Sequence, residues 1–325
     1  MATLPLNLVQ TAAFLRDAED ILILTHGHPD GDTLGAGFAL LRALRGMAKR
    51  VRLFCPDEIP PKFSFMADGI KYAHYAPQTI IAVDLADKSL LGDSRDDFPV
   101  IHLCIDHHSA NRPYAENAWV DPAAAACCEM IYQLLRELNA PITPAVADCL
   151  YTGVSTDTGC FRYSNVTSGT LRIAAKLLDY GARAAKLNQQ YFETKRKAYF
   201  VLERMALETL EVLERGKYAV TALTRAMYDE SGAGEDEAES IAAIPRQVEG
   251  VLIGATLKER KQGGFKASLR SVAPADVSRV AAQLGGGGHL RAAGCTLETP
   301  DLSEARAQLL AAVREELARV KEEKA

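Results

Sequence analysis

The sequence predicts an α/β protein: a doubly wound parallel sheet with helices on both faces, then a helical linker, then a smaller α/β unit. Three observations predict it. The apolar runs Ile21–Leu24, Thr79–Val83 and Val100–Ile105 have strand length and alternate with segments of helical periodicity. Each run ends in acids or imidazoles, where open parallel sheets place their ligand crevice. A second set of strand-like runs begins at Lys217, beyond a helical stretch, and closes on a glycine run and an amphipathic helix.

The first run leads into Thr25-His26-Gly27-His28-Pro29-Asp30-Gly31-Asp32. Pro29 fixes one backbone angle, Gly31 frees another, and Leu34 to Leu44 carries apolar residues at helical spacing, so this is a strand-to-helix turn. A capping loop, with Asp30 or Asp32 capping the helix, explains the same residues without chemistry. Repetition favours a site. The second run ends at Asp84, the third at Asp106-His107-His108, and Asp157 follows an apolar helical stretch.

The strand and helix alternation continues to about residue 185, giving a first domain of 1–185. Helical pattern runs from Thr167 through Glu214 with a break at Gly181, so 186–216 reads as a helical linker. In 217–325, Tyr218–Leu223 reads as a strand, and Val251–Lys258 with Phe265–Arg270 as a hairpin around Gln262-Gly263-Gly264. Asp229–Glu239 reads as a solvated acidic loop leading into a helix. Ala292–Leu297 is a further strand, and Leu302–Lys324 a terminal amphipathic helix.

At 325 residues with 48% hydrophobic content, the chain can fill two cores. No apolar stretch approaches the roughly 20 residues that span a bilayer, and the amino terminus has no secretory pattern, so the chain reads as cytoplasmic. The seven cysteines are odd in number, scattered in apolar runs and without a CxxC pair, which suits small buried hydrophobes. A net charge of −5 argues against gripping long duplex nucleic acid, whose binding draws on phosphate neutralisation. A short anionic substrate held by a few residues fits better.

Carboxylates gathered this closely repel one another unless a cation neutralises them. Two divalent ions suit this many ligands better than one. Carboxylate and imidazole donors without thiolate point first to Mn²⁺, with Mg²⁺, Fe²⁺ or Co²⁺ open and zinc less favoured.

His26-x-x-Pro29-Asp30-x-Asp32, Asp84, Asp106-His107-His108 and Asp157 resemble, in order, the four motifs of the DHH phosphoesterase superfamily. Gly285-Gly286-Gly287-Gly288-His289-x-x-Ala292-Ala293-Gly294, preceded by Ser268-Leu269-Arg270-Ser271, resembles the DHH-associated substrate domain. The likeness covers nearly the whole chain. Its length and lack of extra modules are most similar to the branch of bifunctional oligoribonucleases and pAp phosphatases. The exonuclease branch is larger, the membrane-bound cyclic-dinucleotide branch begins with transmembrane helices, and family II pyrophosphatases lack the glycine-rich ending.

The resemblance implies that His26 and Asp30 bind one metal, that Asp84 bridges, and that Asp32, His107 and Asp157 hold the second. Two such cations, roughly 3.5–4 Å apart, activate a water for in-line attack on phosphorus. Asp106 is expected to support the neighbouring ligands, and His108 to stabilise phosphoryl oxygens or protonate the leaving oxygen. His28 reads as a neighbour of the site. The second domain is expected to supply nucleotide recognition through the backbone of Gly286, Gly287 and Gly288 and through Ser268, Arg270 and His289. The implied activity is hydrolysis of very short RNA to mononucleotides and of pAp, in a crevice between the domains. Short RNA and small nucleotides are the expected partners, with neither membrane nor long duplex, and a homodimer is compatible. The alternatives are a pApA or c-di-AMP phosphodiesterase, a RecJ-like single-strand exonuclease, and a non-catalytic nucleotide sensor, which is disfavoured because every acid is present.

Overall fold

The computed structural model describes residues 3–71, 74–235 and 237–322, with Glu239 described by its backbone alone. The chain divides into two compact units, with the break between Thr194 and Lys195. Residues 186–216 are therefore shared out and do not stand apart as a linker. Leu187 is buried in the core of the first unit, while Leu202 is buried among residues of the second. Helical structure ends at Glu208, and Glu211–Leu213, expected as helix, is a strand.

The first unit runs β1 (Leu4–Pro5), α1 (Leu8–Asp17), β2 (Ile21–Leu24), α2 (Gly31–Gly46), β3 (Val51–Phe54), β4 (Thr79–Val83), β5 (Leu103–Asp106) and β6 (Asn117–Val120). Four α-helices follow: α3 (Cys127–Glu137), α4 (Pro144–Asp157), α5 (Ser168–Asp179) and α6 (Ala184–Asn188). Six parallel strands stand in the order β1-β6-β5-β4-β2-β3. From β2 the chain winds outward to β3 and then crosses to β4 on the other side. The switch point lies between β2 and β4.

Alternate residues explain the two faces. Ile21, Ile23, Ile81, Val83, Leu103 and Ile105 join side chains of α1 to α5 in one large core. Leu22, Leu24, Ala82 and Cys104 point the other way, into a smaller cluster. That second face carries no α-helix among the described residues, which corrects the expectation of helices on both. It is covered instead by a 3₁₀ segment, Lys88–Asp97, through Leu91, and by Phe98, Ile101, Tyr114 and Ala115. The segment is rich in Asp and broken by Gly92 at φ 58°, so it cannot continue as an α-helix.

Helices α2 and α4 are buried along almost their whole length and lie close together. Glycine permits this approach. A Cβ on Gly35 would stand 2.5 Å from the Cys149 carbonyl oxygen, and one on Gly153 would stand 2.6 Å from Asp32 Oδ1. The contact matters because α2 begins beside Asp32 and α4 ends at Asp157.

The second unit runs α7 (Lys197–Glu208), β7 (Glu211–Leu213), β8 (Tyr218–Leu223), α8 (Arg225–Ser231), α9 (Ala238–Ile241), β9 (Ile253–Glu259) and β10 (Phe265–Ser271). It ends with α10 (Val277–Gln283), β11 (Gly287–His289), β12 (Ala292–Leu297) and α11 (Leu302–Glu322). Its six strands stand in the order β11-β12-β10-β9-β8-β7, with β8 and β9 parallel and the other pairs antiparallel. Phe265, Ala267 and Leu269 pack on Leu309, Val313 and Val320 of α11, as the amphipathic pattern predicts. The acidic 229–239 stretch is partly helical, since Thr224 caps α8 and Gly232 ends it in the left-handed conformation. Asp236 and Lys324 lie outside the described residues.

No helix of the described residues is long and apolar enough to cross a membrane. All seven cysteines are free, and five are buried. Replacing Gly35 with Ala should force α2 from α4 and lower stability by about 1–3 kcal/mol, read by urea unfolding. An unchanged midpoint would show that the two helices yield without cost.

Candidate metal centre

The carboxyl ends of β2, β4 and β5 meet at the switch point, and each delivers acidic or imidazole side chains there. After β2, the turn to α2 places His26, Asp30 and Asp32. Asp30 is also the cap of α2: its Oδ1 accepts from the Asp32 and Thr33 backbone N–H groups, both at 3.0 Å. The capping and chemical readings of this loop therefore coexist, one oxygen serving the helix while Oδ2 lies 3.9 Å from His26 Nε2. The loop is pinned from outside, by Gly27 N–H donating to Leu90 C=O at 2.8 Å and His28 N–H donating to Asp57 at 2.6 Å. His28 itself is fully exposed, with φ 53°.

Asp84, directly after β4, also has a positive φ of 53°. For a non-glycine residue this left-handed conformation costs about 1–2 kcal/mol, a strain typical of functional turns. It sets the carboxylate among three imidazoles: Oδ2 is 3.6 Å from His26 Nε2, and Oδ1 is 3.5 Å from His107 Nε2 and 3.7 Å from His108 Nδ1. His107 Nε2 also lies 3.7 Å from Asp32 and 3.4 Å from Asp157. Asp32 is wholly buried and accepts from the backbone N–H groups of Cys127 and Cys128, at the start of α3.

Two groups of potential ligands emerge. One donor atom each from His26, Asp30 and Asp84 lies within 4.8 Å of the others, and the same holds for Asp32, His107 and Asp157. Asp84 forms a third such group with His107 and His108 and so stands at the junction. All six side chains expected as ligands are brought together.

These residues fit metal ions. Asp84 Oδ1 is buried and receives no hydrogen bond, a condition that a coordinated cation relieves. Burial pushes the Asp84 and Asp32 carboxyls up, with neighbouring acids adding in both cases and His107 opposing at Asp32. Burial, then Asp32, Asp84 and Asp30, pushes Asp157 up to about 10. His107 and His26 turn their Nδ1 atoms to the Ala124 and Gly27 carbonyls, at 3.2 and 2.7 Å. A carbonyl accepts, so Nδ1 carries the proton and Nε2 keeps a lone pair facing the acids.

Asp106 and His108 form a separate pair beside the group. His108 Nδ1 donates to Asp106 Oδ1 at 2.8 Å, and Asn111 Nδ2 donates to Asp106 Oδ2 at 2.6 Å. Burial would raise the Asp106 pKa, but these hydrogen bonds outweigh it and hold the carboxyl below its usual range. The same bond, with help from the Asp84 charge and against burial, pushes His108 up to about 9. Sequence reasoning missed Asn111. Its signal was the spacing Asp106-His107-His108-x-x-Asn111, which returns the amide to the acid across one turn.

In the second unit, the expected nucleotide-contacting residues are ordered by strand register. Arg270 pairs with Ala292, which pairs with His289, and Ser268 pairs with Gly294, which pairs with Gly287. These six share the sheet face opposite the core that holds Leu269 and Ala293. Strand spacing puts the Arg270 and His289 backbones about 10 Å apart, over a floor of Ala and Gly. Ser268 is buried, while His289 is exposed. The glycine run is not wholly a loop. Gly287 and Gly288 belong to the edge strand β11, and a Cβ on Gly288 would stand 2.5 Å from Ala293 Cα.

Residues 20–154 match the DHH family, N-terminal domain, and residues 215–319 match the DHHA1 domain. The chain is 37% identical over 306 residues to the bifunctional oligoribonuclease and PAP phosphatase NrnA of Thermus thermophilus, covering 92% of this chain and 90% of that one. The chain belongs to the DHH family, in its NrnA branch. The protein of the same name from Bacillus subtilis is 26% identical over 288 residues, covering 87% of this chain and 91% of its own. The crystal structure of an exopolyphosphatase-related protein from Bacteroides fragilis shares the fold, with a TM-score of 0.89 at 23% identity over 97% of each chain.

Cation uptake should expel a proton, because the ligand Asp157 titrates at about 10 in the metal-free site against an ordinary value of 3.8. The folded-state value is raised, so its contribution to stability is present below the unfolded pKa and lost as pH rises through the folded one. Chelator-treated protein should accordingly melt at lower temperature as pH climbs from 6 to 9, with Mn²⁺ raising Tm most at the alkaline end. A Mn²⁺ gain independent of pH would contradict the proton linkage.

Proposed function

We propose that the protein is a metal-dependent phosphodiesterase and phosphatase that hydrolyses very short oligoribonucleotides to mononucleotides and converts pAp to AMP. The observation that carries this reading is the convergence of His26, Asp30, Asp32, Asp84, His107 and Asp157 on one point, in a chain related over its length to proteins named for these two activities. His26, Asp30 and Asp84 would hold one divalent cation, and Asp32, His107 and Asp157, sharing Asp84, the other. Mn²⁺ suits this mixture of oxygen and imidazole donors best, with Mg²⁺ or Co²⁺ as substitutes. When bound, the cations supply Lewis acidity and a water acidic enough to attack phosphorus at neutral pH.

The protein side chains do the rest. His108, protonated and oriented by Asp106, donates to a non-bridging phosphoryl oxygen or to the leaving oxygen. Asn111 fixes Asp106 and so keeps the imidazole aimed. Arg270 supplies a guanidinium for a phosphate, and His289 a second polar contact across the small-residue floor. Recognition by so few side chains fits the net acidic charge and a preference for short substrates.

The deciding test is turnover of RNA from two to about twenty nucleotides, a range spanning one single-strand binding site, beside pAp, pApA, c-di-AMP and pyrophosphate, with Mn²⁺ and Mg²⁺ separately. Fastest turnover is expected for the shortest RNA, with pAp also hydrolysed. Preference for twenty-nucleotide RNA or for c-di-AMP would refute the assignment. Asp84→Ala should abolish turnover of every substrate and reduce bound metal, measured by atomic absorption, because both groups share this residue. Arg270→Ala and His289→Ala should raise KM for nucleotides about tenfold or more while metal content stays at two per chain. An unchanged KM in both would remove this sheet face from recognition.

A further inference from the structure

All three residues of one ligand group are tied to a single short segment, Ala124–Cys128, His107 and Asp32 through their side chains and Asp157 through its backbone carbonyl by way of Asn165. The Ala124 carbonyl accepts from His107 Nδ1 at 3.2 Å. The Cys127 and Cys128 backbone N–H groups donate to the Asp32 carboxylate at 2.6 and 2.9 Å. The Ala125 carbonyl accepts from Asn165 Nδ2 at 3.0 Å, and the same Nδ2 donates to the Asp157 carbonyl at 3.2 Å. His26 and Asp30 are held differently, by the Gly27 carbonyl and by the first turn of α2.

Two side chains outside the ligand set hold this segment. Glu129, buried in the first turn of α3, accepts the Ala125 N–H through Oε2 at 3.4 Å. Asn165 clamps the other side of Ala125. Ala125 is itself buried, so without Glu129 its N–H would be left unpaired and the segment would move to satisfy it. Any such movement carries the Ala124 carbonyl and the two amides with it.

We propose that Glu129 and Asn165 are positioning residues for one cation alone, the one assigned to Asp32, His107 and Asp157. The proposal rests on the two-cation reading above. Hydrogen-bonding partners of metal ligands are typically worth about 10–100-fold in metal affinity, and here one segment serves three ligands.

The test is calorimetric titration of Mn²⁺ into the metal-free full chain. Wild type should show two sites. Glu129→Ala and Asn165→Ala should each keep one site at wild-type affinity and weaken the other about 10–100-fold. Glu129→Gln should restore the weak site, since an amide oxygen accepts the same N–H. In the metal-free protein, ¹⁵N shifts should report His107 protonated on Nδ1 in wild type and a tautomer mixture in Glu129→Ala. Should that variant fail to fold, Asn165→Ala, at an exposed residue, decides the matter. Two unchanged sites in both variants, or equal loss at both sites, would overturn the proposal. A wild-type chain binding fewer than two Mn²⁺ would instead bring down the two-cation reading, and this assignment with it.

Discussion

Mutual repulsion among carboxylates that the fold has buried together is the constraint on which the rest of the structure depends. Asp32 and Asp84 are almost wholly withdrawn from water, and the charges of both push the Asp157 carboxyl up. Such an arrangement is costly in a protein without compensating charge. Backbone amides at the start of α3 compensate at Asp32, His108 and Asn111 compensate at Asp106, and cations are left to compensate at Asp84. The site is thus a stressed cluster whose resting energy favours metal uptake.

The architecture supplies this stress by geometry. Parallel strands bring Leu24, Ala82 and Cys104 to one level, so His26, Asp84 and Asp106, each two residues further on, cannot avoid one another. The reversal of winding between β2 and β4 opens the crevice at that level. The close packing of α2 against α4 then sets Asp32 and Asp157 beside His107. Each helix is buried too fully to slide, so the ligands inherit the rigidity of the core.

Much of this was legible from residues alone, because strand-length apolar runs with acids behind them have few other uses. Ile21–Leu24, Thr79–Val83 and Tyr218–Leu223 are strands at the predicted bounds. What was not legible depended on distant partners. Lys88–Asp97 covers a sheet face without being an α-helix, and Glu211–Leu213 becomes a strand because β8 offers an edge to pair with. The glycine run looked like an anion-binding loop, yet Gly288 is small because β12 passes directly beneath it. The Ala124–Cys128 segment left no mark in the sequence, since its role is carried by backbone groups.

By itself the sequence determined which donor-bearing residues stand at the strand ends, since donor chemistry resides in residue type and strand ends are set by local periodicity. The tertiary structure alone decided which imidazole nitrogen faces the acids and which neutral residues hold the donors in place. Those properties follow from hydrogen bonds between segments some hundred residues apart, such as Asp32 with Cys127 and Cys128. Spacing along a chain does not encode such contacts until the core has closed.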